Sequence, residues 1–342
     1  MKRLLALLLL SIGLGLGGLY LATREAILSP DTYRPVGLSP TLIAIGLISL
    51  VMLWLAPVIR ISLLARAQGF RLSAVQAVLA HITQVFGNAM TPSGTGGGPA
   101  MLVTLQRFGV PVGTGLGIAI QLFILDLAAL GAFIPVGLIY LLAFSEIELP
   151  RLTAYLAGGL AIVALVSALL LARFPHPLFR LLHALSRWRL LRRFEKRLRR
   201  IAREYLVSAV AFREMPVSTW LSLHLTNGVA WFSYLLLFWA LLGIYGATMQ
   251  LLDVLAVLSI VTLIGFFVPT PGAAGYTELM LGLAIPARGG ADAIAAPLLA
   301  WRTLTFYIVY LLGPISAWLV LTRRSLNGLA AAGPAAARSR RP

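Results

Sequence analysis

The chain has 342 residues, 59% hydrophobic and 11% charged, with a mean hydropathy of +0.91. A soluble domain is about half apolar and a quarter charged, so composition excludes a soluble enzyme, a nucleic-acid module and a disordered scaffold. Lys and Arg number 28 against 11 Asp and Glu, a net charge of +17, concentrated beside apolar stretches, where the anionic cytoplasmic leaflet is the expected partner.

A helix of about 20 apolar residues crosses a hydrocarbon core of about 30 Å. In chain order the candidates are Leu4 to Ala22, Leu42 to Val58, Val112 to Phe144, Leu152 to Leu171, Val217 to Ile244 and Ile294 to Leu321. The first follows Lys2 and Arg3 but lacks a clear small-residue cleavage site, so it reads as an uncleaved span. The third is long, and Pro135 is expected to kink it or mark its end region.

Two apolar stretches do not fit as full spans. Leu72 to Met90 runs into Thr91-Pro92-Ser93-Gly94-Thr95-Gly96-Gly97-Gly98-Pro99, and Leu251 to Val268 runs into Pro269-Thr270-Pro271-Gly272-Ala273-Ala274-Gly275. Each cluster breaks a helix, and each precedes a short helical segment, Ala100 to Gln106 and Thr277 to Ala284. Helix, broken tip and short return helix make a re-entrant hairpin, tolerated at membrane depth only inside protein or beside a watery cavity. Six spans and two hairpins put Arg60, Arg66, Arg71, Arg173 to Arg213, Arg323 and Arg324 on one side with both termini, the cytoplasmic side by the positive-inside rule. The first hairpin then enters from the cytoplasm, the second from outside.

The expected architecture is therefore an all-α polytopic membrane protein: an N-terminal span and outer loop (1–40), a first repeat (41–172), a basic linker (173–213), a second, inverted repeat (214–324) and a disordered tail (325–342). Both tips share Thr-Pro with a glycine four residues after the proline, Gly96 and Gly275. Inverted repeats with broken helices are a transporter architecture. Each return helix begins with unpaired N–H groups and a positive dipole end, and Gly94, Gly96 and Gly97 let amides approach a ligand. The sequence leaves open a phosphate-favouring tip and a close helix crossing that needs glycine for sterics.

Residues Asn88 through Ala100, the stretch Phe266 to Glu278, and Trp301-Arg302 carry a resemblance to the flippase-like membrane region of the lysylphosphatidylglycerol synthases and its stand-alone relatives. The resemblance runs from about Thr41 to Leu321. It implies a polytopic protein that moves a lipid between leaflets. The family's first motif often carries an acidic residue just before the proline, a place held here by Gly98. The short tail after Leu321 leads to no expectation of the aminoacyl transferase activity of bifunctional relatives.

Ionisable residues within apolar spans are site candidates. Asp126 lies 34 residues after Pro92, and Arg302 lies 31 after Pro271. They are expected either to pair or to act together on a substrate phosphate, with Arg302 as the phosphate ligand. Glu278, three residues after Gly275, reads either as a capping acid or as a carboxylate for a cationic headgroup or a coupling proton. With the tip residues Asn88, Thr91, Pro92, Thr270, Pro271 and Gly272, these make the expected substrate-binding set. His81, Gln84 and Asn88 form one polar stripe, and His224, Asn227 and Trp231 another. Such stripes line a headgroup path or serve interhelical hydrogen bonds. Two histidines without an acidic cluster make no zinc site; no metal, cofactor or nucleic-acid partner is expected. Leu178 to Leu206 reads as a basic amphipathic helix on the inner leaflet, its arginines from Arg180 to Arg203 facing anionic headgroups.

Three functions remain: a lipid flippase or scramblase, which leads; a small-solute or ion transporter with the same hairpins; and a membrane enzyme with Asp126 and Glu278 as an acid/base pair, for which no nucleophile or metal motif is present.

Overall fold

The computed structural model describes residues 38–322 apart from 146, 148–150, 175, 188–193, 248 and 285–291, with a few positions before them. The expected span Leu4 to Ala22, apart from those few positions, and the tail Ser325 to Pro342 lie outside the described residues. Among the described residues the fold is all-helical. The helices are α1 (Pro40–Ala67), α2 (Ala74–Ala89), α3 (Gly97–Arg107), α4 (Val112–Phe144), α5 (Arg151–Arg173), α6 (His176–Arg187), α7 (Glu195–Arg213), α8 (Val217–Ile244), α9 (Leu251–Gly265), α10 (Tyr276–Ala284), α11 (Asp292–Arg302) and α12 (Ile308–Thr322), with a π-helical turn at Thr303–Tyr307 between the last two.

Local chemistry sets the helix ends. Pro40 occupies the first turn of α1, where its missing N–H costs nothing. Beyond the other end Gly69 sits at φ +83°, the left-handed turn that stops a helix. Ser73 and Gln76 form a capping box for α2: Ser73 Oγ accepts from the Gln76 amide, and Gln76 Oε1 accepts from the Ser73 amide. The return helix α3 begins at Gly97, earlier than expected, so Gly97 and Gly98 belong to it. Pro135 does not end α4, which runs its full 33 residues through it.

Four segments are long and apolar enough to cross a membrane: α1, α4, α8 and the composite Ile294–Thr322. The apolar part of α5 is shorter, Tyr155–Leu171. The most extensive helix pair is α1 on α8. Around it, α4 packs on α9 and α12 packs on α2. The largest buried cluster gathers Leu235, Phe238 and Leu242 of α8 with Val257 of α9 and Trp301 of α11.

Part of the expected basic helix Leu178 to Leu206, residues 188–193, lies outside the described residues. Two helices, α6 and α7, flank residues 188–193. The buried side of α7 faces protein rather than lipid. Tyr205 and Phe212 are buried, the Gly113 amide donates to Glu204 Oε2 at 2.9 Å, and Gln121 Nε2 donates to the Ser208 carbonyl at 3.1 Å. A Cβ on Gly113 or Gly117 of α4 would overlap Ile201 O or Ser208 Oγ. Two glycines one turn apart let α7 lie directly on the start of α4. Lys196, Arg200 and Arg203 remain exposed on its other side.

Candidate functional site: two touching tips and two buried ion pairs

The α2–α3 and α9–α10 units bring their tips together. Pro92 and Pro271 form an antiparallel bridge. Neither proline has an N–H, so the residues on either side carry the pairing. Ser93 Oγ adds a hydrogen bond to the Val268 carbonyl at 3.2 Å.

The two tips have the same backbone. Ser93 and Gly94 lie at φ +52° and +65°, Gly272 and Ala273 at +59° and +52°. In each tip the amide two residues after the proline donates to the threonine carbonyl before it: Gly94 to Thr91 at 3.2 Å, Ala273 to Thr270 at 3.2 Å. The next amide donates to the proline carbonyl, Thr95 to Pro92 at 3.3 Å and Ala274 to Pro271 at 3.1 Å. Two successive left-handed residues make the type I′ arrangement. Ser93 and Ala273 hold it without being glycine, at a strain of about 1–3 kcal/mol each.

The tip amides find partners inside the protein. The Gly96 amide donates to Thr91 Oγ1 at 2.7 Å, and the Gly275 amide donates to Glu278 Oε2 at 2.8 Å. Several glycines serve packing: a Cβ on Gly97 would overlap Asn88 Oδ1, one on Gly96 would lie 2.6 Å from Thr91 Cγ2, and one on Gly272 would overlap the Phe306 ring. The steric role left open by the sequence is thus present at both tips. Gly98 is the contrast, with no atom within 4 Å of where its Cβ would be.

Asp126 and Arg302 do not pair with each other. Arg302 Nε donates to Glu278 Oε1 at 2.6 Å, with side chains 6% and 1% exposed. Asp126 instead accepts from Arg60 Nη1 at 2.7 Å and from Trp231 Nε1 at 3.2 Å. Arg60 Nη1 also donates to Asn227 Oδ1, and Asn227 Nδ2 donates to the Leu125 carbonyl at 2.8 Å. Each charge thus has a closer partner: Glu278 starts α10, immediately beside the end of α11, and Arg60 lies on α1 where α1 meets α8. Glu278 is therefore a capping acid and an ion-pair partner at once.

A family model for the lysylphosphatidylglycerol synthase TM region matches residues 4–313. The chain belongs to that family. No curated protein matches it. Family membership and the apolar helices together make it a multi-pass membrane protein.

In this TM-region protein the expected polar path is only partly assembled. His81 is 8% exposed and packs edge-on to Trp54 with ring centroids 5.8 Å apart. Gln84 and Asn88 follow on the same helix, where the Asn88 side chain and the Gln84 backbone carbonyl lie beside Gly97. Asn227 is buried in the Arg60–Asp126 network. His224 lies apart, exposed and stacked on Trp220 at 5.4 Å. Among the described residues no group of three His, Asp or Glu could hold a metal ion.

Sequence reasoning missed Arg60 as a site residue, because the apolar run ends at Val58 and the arginine reads as a flanking charge. The spacing held the signal: Ala56, Arg60 and Leu64 repeat every four residues, and all three are buried. The Arg60 side chain is 7% exposed and the Asp126 side chain 27%. Removing the more accessible partner strands the more buried one. Asp126→Leu is therefore expected to lower thermal stability more than Arg60→Leu, a ranking that paired melting curves in detergent will check.

Proposed function

We propose that this protein is a flippase-like lipid transporter without enzymatic activity. The two hairpins are re-entrant, dip from opposite faces and meet near the bilayer midplane, with both termini cytoplasmic. A phosphate-bearing headgroup passes through a polar groove beside the tips while its acyl chains stay in lipid. Rocking of one inverted repeat (41–172) against the other (214–324) alternates access.

The Pro92–Pro271 bridge carries this reading. Irregular backbone cannot face lipid at that depth and needs protein or water around it; tips that pair with each other meet that demand. The reciprocal packing of α4 on α9 and of α12 on α2 supports an inverted repeat, since two-fold symmetry requires such contacts in pairs. Asp126, a quarter exposed within an apolar helix, supports a polar cavity beside that helix. At the second tip Glu278 already fills the amide-rich end; at the first tip Gly98 leaves space, which favours the first tip for phosphate.

Reconstitution tests this. Vesicles containing the protein are given anionic, cationic and polyprenyl-phosphate lipids labelled in one leaflet. Transfer of at least one labelled lipid is expected to exceed that in protein-free vesicles. Equal rates for all of them, with uptake of a small solute instead, would replace the lipid reading with a solute transporter.

A further inference from the structure

The outward face of α7 carries one continuous stripe. Its buried side, with Ala202, Tyr205, Ser208 and Phe212, lies on protein. On the opposite side Lys196, Arg200, Arg203, Val207 and Val210 recur every three or four residues, and all five are exposed. That spacing lines them up along the helix. The line is cationic in its first half and apolar in its second, and the change from Arg203 to Val207 takes about 6 Å of helix. Arg213 ends the helix with Glu214 after it, so the valines form a band bounded by charge on both sides, as at a membrane boundary rather than in its core.

The gradient runs in the direction of the membrane. α7 climbs beside α4: a Cβ on Gly113 would meet Ile201, Glu204 and Tyr205, whereas one on Gly117 would meet Ser208, and Gln121, one turn further on, still reaches the Ser208 carbonyl. The two helices therefore run the same way, and α4 goes on as a candidate span. Residues 214–216 alone separate α7 from α8, another candidate span, whose Val217, Leu221 and Leu225 are exposed. The exposed valines of α7 thus continue into an apolar, lipid-facing surface. Two of the cations are uncommitted. Arg200 Nε lies 3.3 Å from Glu204 Oε1, but Lys196 and Arg203 make no ion pair among the described residues.

We propose that this stripe docks on anionic lipid of the cytoplasmic leaflet. Lys196 and Arg203 each sit beside an anionic headgroup, and Val207 and Val210 rest at the start of the acyl chains. The apolar side that a free amphipathic helix would insert is already buried on α4, so the grip is electrostatic and sensitive to salt. The surface rests on the membrane orientation proposed above but not on translocation. It ties the linker between the repeats to one leaflet and gathers anionic lipid beside the first repeat.

The chain has no native cysteine, so Val207→Cys carries a single fluorescent donor on the stripe. The full-length protein is placed in nanodiscs of equal parts phosphatidylglycerol and phosphatidylcholine, whose two faces are both open. Trace acceptors, labelled in the acyl chain and bearing one headgroup or the other, read by energy transfer which lipid gathers there. Phosphatidylglycerol is expected to be favoured about five-fold, the worth of one surface cation at about 1 kcal/mol. Lys196→Gln and Arg203→Gln should each lower the preference, and the pair should remove it, as should about 1 M salt, where the Debye length is about 3 Å. Arg197 is exposed but off the stripe, and Arg197→Gln should leave the preference unchanged. Equal transfer to both lipids, or an equal loss in Arg197→Gln and Arg203→Gln, would overturn the docking and leave the orientation standing. Sidedness is read separately: Lys196→Cys should react with an impermeant maleimide in inside-out vesicles and not in intact cells. Reaction in intact cells would overturn the orientation and the leaflet assignment together.

Discussion

Glu278→Ala is expected to destabilise the protein by about 3–5 kcal/mol, because it strands a buried guanidinium in an apolar interior. Arg302 has no second carboxylate to fall back on: its Nη2 is already buried without a hydrogen-bond partner, the faces of Phe306 and Trp301 lie 4.7 and 5.8 Å from its Cζ, and its other neighbours, Tyr234 and Tyr307, bring only hydroxyls. The Gly275 amide loses its acceptor in the same step. The double substitution Glu278→Ala with Arg302→Leu removes both charges and is expected to recover much of that loss, since replacing a buried pair with apolar groups is often close to neutral. Thermal unfolding of the four proteins in detergent reads the coupling directly. Additive losses would mean that the two residues do not act as a pair. The double variant also separates structure from transport. If it is folded and still moves lipid, the pair is architectural; if it is folded and inactive, the charges contact what is transported.

Much of this architecture is written in the sequence because membranes impose few solutions. The helices Val112–Phe144 and Val217–Ile244 occupy the residues that apolar runs alone define. The Thr-Pro-Gly clusters mark both tips, because proline and glycine interrupt helices in any environment. The partners of the charges were not legible. Arg60, Asp126 and Asn227 come from three helices far apart in sequence, and only the packing of α1, α4 and α8 on one another brings them together. Periodicity says that a residue is buried but not against what. The same limit explains α7, whose apolar stripe suits either lipid or protein. The glycines that decide the matter, Gly113 and Gly117, sit on α4, and nothing in the stripe itself points to them. The π-helical turn after Arg302 had no sequence marker, yet it lies directly beside the Glu278 pair, as such turns often do at functional sites.

Cysteines at positions 92 and 271 are expected to form a disulfide between the tips under mild oxidation. Residues opposite each other in an antiparallel bridge have Cα atoms about 4.5–5.5 Å apart, within the range a disulfide spans. The chain has no native cysteine, so any cross-link arises from the introduced pair. Replacing the prolines restores N–H groups that the bridge does not use, and the left-handed residues that shape each turn, Ser93 with Gly94 and Gly272 with Ala273, stay in place. A protease site introduced between residues 188 and 193 would split the chain unless the disulfide joins the halves, so a gel run with and without reductant reads the bond. Failure of this pair to cross-link, alongside efficient cross-linking of a control pair between α1 and α8, would mean that the tips do not meet in the membrane. Where the bond forms, its effect on transport discriminates further. If one repeat rocks against the other as proposed, the contact between the tips must shear, and the locked protein should then lose nearly all translocation and regain it on reduction. Full activity in the locked state would instead place the moving parts elsewhere and leave the joined tips as a fixed floor under the lipid path.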